Sequence, residues 1–488
     1  MWAVLLVGGV GVAGVAGGPV LRLRSAAARA PQGVLIEAVY SWTVALSLVT
    51  PRADRNDAAP AGSVAGRGDG RVGADRCPGT VAVHQAEDGG LARIRVPGGA
   101  LPRDTLASLA AWAVELGNGR LELTARGNLQ LRGLAPGAET ELSARLADCG
   151  LLPSAPHDTA RNLLASPLAG RDGVGVLDVR PLVAELDRRL CAEPELALLP
   201  GRFLFALDDG RGDVAGLHAD VAALALPNQR VAVLLGGLDS GLRLPVPEAV
   251  TGLLTAATIF LRRRSDQGVW RLAELPGGPL ELVDELRATL HAGSSGPLVA
   301  VPERDPVGPI GRIEQTDGRV ALAVSVPLGE LTPARCQVLA AVAEREVLLT
   351  PWRGVVLPDL PPPATALATR RLAGAGLLLD PASPSLGVSA CTGRPGCAKA
   401  LADVRADASV AAGRAAGTAV PPVDTGGGPR LPVHWSGCAR RCGRPPGPVV
   451  DVVAEEHGYR VQLDGDLQYS GTDLGEVRAA ASQARTQR

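Results

Sequence analysis

The segment Val324–Leu360, "VSVPLGELTPARCQVLAAVAEREVLLTPWRGVVLPDL", decides the fold, because its order of elements occurs twice in the chain. Its apolar start predicts a strand, and Pro327 predicts a turn directly after it. Thr332 and Pro333 are typical of the first positions of a helix. The apolar residues of "EVLLTPWRGVVLPDL" then predict a further strand region, so the segment is predicted to fold as β-α-β.

The same order of elements is found earlier, from "RIRVPGG" to "RLELTARGNLQLRGL". Pro97 precedes Pro327 by 230 residues, and Thr124 precedes Thr350 by 226 residues. The later heptapeptides "LADCGLL" and "LAGAGLL" keep the second offset. Agreement in order across three elements favours an internal duplication over chance similarity between Ala- and Leu-rich helices. Two β-α-β copies predict an α+β layer whose halves pair by their edge strands and leave a cleft between them.

Two short loops rich in glycine and proline hold half of the eight cysteines of the chain. Cys391 and Cys397 form C-x₅-C in "SACTGRPGCAKALAD", and Cys438 and Cys442 form C-x₃-C in "WSGCARRCGRP". Four thiolates suit a [4Fe–4S] cluster, whose net negative charge is stabilised by backbone N–H groups and nearby cations. Zinc and unligated thiols are the alternatives, although C-x₅-C is wider than the usual zinc spacing.

The surroundings of these cysteines also fit a negatively charged cluster. The segment "AKALADVRADASVAAG" after Cys397 predicts a helix whose positive N-terminal end points at the site. Cations are predicted from the arginines in or beside the two loops, which are Arg394, Arg440, Arg441 and Arg444.

The overall charge of the chain gives no reason to expect a charged macromolecular partner. The 488 residues include 49 Lys and Arg against 50 Asp and Glu, for a net charge of −1, so neither nucleic acid nor a membrane is predicted as a partner. At the N-terminus, Gly9, Gly11 and Gly14 spell G-x-G-x-x-G, but Gly17 and Pro19 interrupt the helix that a dinucleotide site requires. Residues 1–76 are therefore predicted to be a non-essential extension and linker of a cytoplasmic protein.

The cysteine spacing, C-x₅-C followed by G-C-x₃-C-G, resembles the cluster signature of the sulfite and nitrite reductase family. "RIRVPGG" and "LTARGNLQLRG" resemble the ferredoxin-like half-domain of that family, and "TARNLLASP" and "LPGRF" resemble its tetrapyrrole-site segments. The resemblance implies an α+β fold with duplicated ferredoxin-like half-domains and two α/β lobes related by a pseudo-twofold axis. It also implies a [4Fe–4S] cluster on Cys391, Cys397, Cys438 and Cys442, and leaves open a siroheme-type haem or a mononuclear iron.

The resemblance divides the chain into six predicted segments. These are the extension and linker, the first half-domain, a tetrapyrrole-site lobe, the second half-domain, a cluster lobe and a C-terminal tail, at residues 1–76, 77–150, 151–300, 301–378, 379–470 and 471–488. By the same motifs, the residues that would bind the carboxylates of a tetrapyrrole are Arg93, Arg95, Arg126, Asn128, Arg161, Asn162 and Arg202. No residue is identified as catalytic, because no histidine of the chain has metal-ligand or facial-triad spacing.

Within the family, "LPGRFLF" separates two functions. The reductases place a pair of lysines there, whereas this chain has Arg202 and Leu204. The opening "CPG…DGGLARIRVPGG" and the later "LTPWRGVVLP" resemble the precorrin-3B synthase branch instead. That branch uses O₂ and an NADH-linked electron donor to convert precorrin-3A into a hydroxylated γ-lactone in cobalamin biosynthesis. A siroheme-dependent sulfite or nitrite reductase and a non-enzymatic, metal-stapled scaffold are the alternatives.

Overall fold

The computed structural model describes residues 6–7, 10–11, 77–264, 268–290, 294–301, 307–411 and 430–486. The chain divides into two units, residues 1–65 and 66–488. Within the first, two short strands pair antiparallel, β1 (Leu6–Val7) and β2 (Val10–Gly11). The rest of the predicted extension lies outside the described residues. The half-domains and lobes all lie within the second unit.

Half-domain 1 contains five strands and two helices. They are β3 (His84–Ala86), β4 (Gly89–Ile94), β5 (Ala100–Pro102), α1 (Arg103–Leu116), β6 (Leu121–Leu123), β7 (Leu129–Leu134) and α2 (Ala138–Asp148). Lobe 1 follows with β8 (Leu163–Ala165), α3 (Arg180–Ala192), β9 (Phe205–Asp208), β10 (Val221–Leu226), β11 (Arg230–Leu235), β12 (Leu238–Pro245), α4 (Ala249–Arg263), α5 (Val283–Thr289) and β13 (Ser294–Ser295).

Half-domain 2 repeats the plan of half-domain 1. It contains β14 (Gly311–Glu314), β15 (Val320–Ser325), β16 (Glu330–Leu331), α6 (Pro333–Val342), β17 (Glu346–Leu349), β18 (Gly354–Leu360) and α7 (Thr365–Gly374). Lobe 2 contains β19 (Val388–Ala390), α8 (Val404–Ala411), β20 (Val433–Ser436), β21 (Val450–Glu455), β22 (Gly458–Leu463), β23 (Asp466–Gly471) and α9 (Leu474–Ala484).

The predicted duplication is confirmed by the backbone of the two half-domains. The turn before the first helix has a left-handed residue in both copies, Gly98 with φ 63° and Leu328 with φ 57°. Thr332 caps α6 as predicted, because its side chain accepts a hydrogen bond from the backbone N–H of Arg335. A leucine is rarely found at positive φ, so its presence at the position of Gly98 shows that the copies share their backbone course.

The half-domains exchange short strands. Strand β5 of half-domain 1 pairs with β17 of half-domain 2, and β16 of half-domain 2 pairs with β6 of half-domain 1. The resulting five-stranded sheets have the orders β16-β6-β7-β4-β3 and β14-β15-β18-β17-β5. Helices α1 and α6 pack together, and Leu106, Leu109 and Leu339 lie in one core that both halves share. The two copies thus complete each other's sheets.

The lobes are also equivalent. In lobe 1, β8, β9 and β10 run parallel and β11 and β12 continue antiparallel; in lobe 2, β19, β20 and β21 run parallel and β22 and β23 continue antiparallel. The loops after β8 and β9 therefore correspond to the loops after β19 and β20. Strand ends place Ser166 opposite Cys391, one residue from the position that the sequence offset gives. Within the described ranges, no helix is long and apolar enough to cross a membrane.

Candidate functional site

The two cysteine loops meet because they leave neighbouring parallel strands at the same edge of the sheet. Cys391 directly follows β19, and Cys438 lies two residues beyond β20. The backbone N–H of Cys391 donates to the carbonyl of Trp435 at 2.9 Å, and Leu401 donates to Gly437 at 2.8 Å. A Cβ atom on Gly437 would lie 2.7 Å from that of Ala400, so only glycine allows the loops to approach this closely.

The thiol of Cys391 lies among donors and other thiols. The N–H of Gly437 donates to its sulfur at 3.2 Å. Burial raises the pKa of Cys391, the N–H groups of Gly437 and Gly393 oppose this, and the nearby sulfurs of Cys438 and Cys442 raise it further. Three of the four predicted ligands therefore lie close enough to influence one another's charge. Cys397, at the far end of the first loop, is half-buried and accepts a hydrogen bond at its carbonyl from Ala400.

The described thiols are not grouped at the spacing that a single zinc ion would impose. Zinc holds thiolates at about 2.3 Å, which brings its sulfur ligands to about 3.8 Å from one another. Among the described residues, no three cysteines come within 4.8 Å of one another; the only group of three potential ligands at that spacing consists of Asp208, Asp209 and Asp213. A cube places its own iron and sulfide between the thiolates and needs a wider cradle with N–H donors, as Gly437 supplies.

The cations around these loops differ from the predicted set. Arg444 binds Asp451 at 3.0 Å, Arg441 donates to Gln462 at 2.7 Å, and Arg440 is exposed. Arg394 donates to the carbonyl of Ala400 at 2.8 Å and so holds the first loop closed. The side chains of these arginines shape the loops or face solvent.

The helix after Cys397 was predicted to begin too early. Helix α8 begins at Val404, because the backbone groups just before it hold the loops: Ala402 accepts from Arg394 at 2.9 Å within the first loop, and Leu401 donates to Gly437 of the second loop at 2.8 Å. The cation that sequence reasoning missed is Arg405, in the first turn of α8, whose Nε donates to the carbonyl of Cys391 at 3.2 Å.

Arg95 is the most unusual of the predicted binding residues. It is 1% exposed, and its Nε and Nη1 have no hydrogen-bond partner, while Nη2 makes two long contacts of 3.4 Å to the carbonyls of Pro78 and Thr159. Burial lowers the pKa of Arg95 to about 9, and the like charge of Arg93 lowers it further. A buried guanidinium with two nitrogens that lack hydrogen-bond partners lowers the stability of the fold. An anionic ligand would supply the missing partners, so this position is suited to one.

Arg93 and Arg126 extend this positive region, and we call Arg93, Arg95 and Arg126 the arginine cluster. Burial lowers the pKa of Arg126 to about 10, and the charges of Arg271 and Arg93 contribute. Arg126 also donates to the carbonyl of Gly201, and Arg93 donates to Gln130, both at 3.3 Å. Mutually repelling cations in a partly dry site gain most from a ligand with several carboxylates.

Arg161 does not join the arginine cluster. It is 2% exposed, its Nε and Nη2 donate to both carboxylate oxygens of Asp187 at 2.7 and 2.8 Å, and its Nη1 donates to the carbonyl of Leu151 at 2.7 Å. The structure places this predicted binding residue in an internal contact, where each of its three guanidinium nitrogens donates to a protein oxygen.

The two asparagines hold loops. The side-chain oxygen of Asn128 accepts from the N–H of Val96 at 2.9 Å, and the amide of Asn162 donates to the carbonyls of Thr159 and Gly201 at 3.0 Å. Their side chains thus tie together the segments that carry the arginine cluster.

In the segment "LPGRFLF", the side chains of Arg202 and Leu204 lie in different environments. Arg202 is exposed and stacks on Trp270, with 4.8 Å between its guanidinium carbon and the ring centroid. Leu204 is 4% exposed and lies in an apolar cluster with Leu164 and Trp352. Leu204 itself cannot donate a proton, and a charged side chain at this position would be buried among apolar groups.

Lobe 1 carries an acidic loop where lobe 2 carries Cys438 and Cys442. Asp208, Asp209 and Asp213 follow or end β9, and Arg211 pairs with Asp209 at 2.8 Å. Burial raises the pKa of Asp213 to about 7, and the charge of Asp208 raises it further. Sequence patterns missed this group because "DDGRGD" reads as an ordinary polar turn.

Comparison with known proteins agrees with this architecture. A family model, the nitrite/sulfite reductase ferredoxin-like half domain, matches residues 84–149 and again residues 313–374. The two matches fall in the two half-domains, so the chain shares this repeated unit with the nitrite and sulfite reductase family. Members of this family are oxidoreductases whose cofactors are siroheme and a [4Fe–4S] cluster, and this chain is an oxidoreductase.

Relatives in this family have different activities. A precorrin-3B synthase from Sinorhizobium sp. is 27% identical, with 80% of this chain and 82% of the relative aligned. A ferredoxin–nitrite reductase from Synechococcus elongatus is 29% identical, with 79% of each chain aligned. The NirA protein of Mycobacterium tuberculosis has the same fold, with a TM-score of 0.58 at 22% identity over 78% of this chain and 76% of that one. These values identify the fold and do not separate the two activities.

Proposed function

We propose that this chain is a cytoplasmic monooxygenase of the precorrin-3B synthase type, which converts precorrin-3A into the hydroxylated γ-lactone precorrin-3B. The observation that carries the proposal is the environment of Leu204, buried with Leu164 and Trp352 where the reductases would place a lysine. The six-electron reduction of a small anion needs protons delivered at the bound anion. The only lysine of the chain, Lys399, lies in lobe 2 between the cysteine loops.

The arginine cluster is proposed to bind the carboxylates of the tetrapyrrole. Arg95 offers two idle donors in a buried position, and guanidinium groups match carboxylates in geometry as well as charge. Arg93 and Arg126 add charge beside it, whereas Arg202 lies outside at the exposed surface against Trp270. Asn128 and Asn162 are proposed to position these arginines by holding Val96 and Gly201.

Cys391, Cys397, Cys438 and Cys442 are proposed to hold the [4Fe–4S] cluster. The donor set fits, because two loops with inward N–H groups bring soft thiol ligands together at one sheet edge. Such a cluster supplies electrons one at a time. The chain's own part is to ligate the cluster, shield it and donate hydrogen bonds to its sulfur ligands, as Gly437 does to Cys391.

The overall reaction balances with an external donor. One O₂ and two electrons from an NADH-linked donor are consumed, with one oxygen atom entering the product and the other leaving as water with two protons. A separate donor protein is proposed because no intact flavin or nicotinamide domain is recognised in the sequence.

The test is to purify the protein without oxygen and then supply precorrin-3A, an electron donor and isotopically labelled O₂. A product heavier by one labelled oxygen is expected, with no consumption of electrons when sulfite or nitrite is offered in place of precorrin-3A. Rapid reduction of sulfite or nitrite without any change in precorrin-3A would instead identify the chain as a siroheme reductase. A protein that contains zinc and lacks iron and sulfide would identify it as a metal-stapled scaffold.

A further inference from the structure

Arg405 joins the first cysteine loop to both half-domains. Its Nε donates to the carbonyl of Cys391 at 3.2 Å, and its Nη1 donates to the carboxylates of Glu122, on β6, and Glu330, on β16, the latter at 3.2 Å. Its side chain is 16% exposed. Burial works against its charge, but Glu122, Glu330 and the nearby Cys391 outweigh this and raise its pKa above the ordinary value. Arg405 therefore keeps its positive charge, and it contacts the backbone of Cys391, one of the proposed cluster ligands.

The two glutamates would repel each other without this cation. Glu122 and Glu330 are directly opposed residues in the pairing of β6 with β16, and like charges in that position are destabilising. Their side chains are 9% and 8% exposed. Gln130 donates to Glu122 at 3.0 Å, and Arg120 donates to Glu330 at 3.1 Å. Each half-domain thus contributes one carboxylate to a charge group centred on Arg405.

A cavity gives water access to this group. Its volume is about 360 Å³, and its lining includes Glu122, Glu330, Arg405 and the turn at residues 392 and 394–396 between the first two cysteines. A cavity lined by charged groups admits water, which solvates the two carboxylates on one side. The same cavity thus places water and carboxylates behind the first cysteine loop.

We propose that Arg405 and the opposed pair Glu122–Glu330 set the reduction potential of the cluster assigned to the four cysteines, an inference that rests on that assignment. Reduction adds one negative charge to the cluster. The cation at the carbonyl of Cys391 stabilises the added charge, and the two carboxylates behind it oppose the added charge. The three side chains form an electrostatic unit with contributions of opposite sign.

The test is a redox titration of the purified, cluster-containing protein, followed by its visible and electron paramagnetic resonance spectra. Arg405→Gln removes the cation and keeps a hydrogen-bond donor for Cys391, and it should make the cluster harder to reduce. Glu122→Gln removes a carboxylate and should make it easier to reduce. Each variant should change the ratio of reduced to oxidised cluster at a fixed potential by about tenfold, which corresponds to about 59 mV for a one-electron couple. The control is Arg460→Gln, an exposed arginine on β22 paired with Glu455, which should leave the potential unchanged.

Because Arg405→Gln and Glu122→Gln are expected to shift the reduction potential in opposite directions, they distinguish an electrostatic effect from a change in packing. Shifts of both variants in the same direction, or potentials equal to that of the unsubstituted protein, would overturn the proposal. If Arg405→Gln takes up no cluster, Glu122→Gln and Glu330→Gln decide, since both are expected to raise the potential. An unsubstituted protein without iron and sulfide would overturn the cluster assignment and this inference with it, and elemental analysis recognises that case before any titration.

Discussion

The carboxylate of Asp187, on α3, accepts hydrogen bonds from both Nε and Nη2 of Arg161, at 2.7 and 2.8 Å. This pair joins lobe 1 to the segment before β8, and Arg161 is 2% exposed. Arg161, which the sequence motif assigns to ligand binding, is therefore held by a buried internal ion pair.

Removing one member of this pair should destabilise the protein. Asp187→Asn leaves a buried guanidinium without its countercharge, and we expect a loss of about 2–4 kcal/mol in the free energy of unfolding. Urea denaturation of the protein measures this loss. The matched control is Asp178→Asn, whose partner Arg180 is 47% exposed and whose loss should cost less than about 1 kcal/mol. Equal effects of the two substitutions would show that burial of Arg161 is unimportant.

Replacing any of Cys391, Cys397, Cys438 or Cys442 with serine should lower iron and sulfide content and bleach the brown visible absorption. A cube that exchanges one of its four thiolate ligands for a serine oxygen is bound less tightly, because the oxygen is a harder and weaker ligand for it. Cys149→Ser is the control, since Cys149 is exposed at the end of α2. Full cluster content in all four single variants would contradict the assignment.

Arg95→Met should raise the free energy of unfolding of the unliganded protein and also weaken ligand binding. Methionine fills a similar volume without two unpaired donors, so the unliganded variant should resist urea better than the natural protein. Binding of a carboxylate-rich porphyrin such as uroporphyrin, measured by fluorescence titration, should weaken by about 10- to 150-fold through loss of a charge-assisted contact. Arg202→Met, at an exposed arginine, should have a smaller effect on both. Unchanged binding in Arg95→Met would remove this residue from the proposed site.

The acidic loop of lobe 1 should make stability depend on pH. The folded pKa of Asp213, about 7, lies above that of an unfolded aspartate, so its contribution to stability is full below about pH 4 and is lost as pH rises towards 7. Asp213→Asn keeps a hydrogen-bond acceptor for Ser166 without the charge. The variant should therefore gain on the order of 1 kcal/mol over the natural protein between pH 5 and pH 8. Thermal melts across this range measure the gain, and Asp104→Asn, whose side chain is 95% exposed, should show none.

The features that could be predicted from the sequence are those whose residues lie close together in the chain. The duplicated order of elements and the cysteine loops can be recognised from the sequence because turns, caps and ligand intervals involve residues a few positions apart. The partners of Arg161 and Arg405 cannot, since Asp187 and Glu122 lie 26 and 283 residues away. In a chain that uses arginine for nearly every positive charge, composition does not tell a buried framework arginine from a ligand-binding one.

The exchange of β5 and β16 bears on how such a chain could arise. A single copy of the half-domain would present an unpaired sheet edge and a short strand with no sheet of its own. Two separate copies would satisfy each other only as a symmetric pair of chains, with each chain lending its strand to the other. Joining the copies in one polypeptide keeps that exchange within the molecule and removes the need for identical lobes. One lobe was then free to keep sulfur ligands at its sheet edge, while the other holds aspartates and arginine at the equivalent edge.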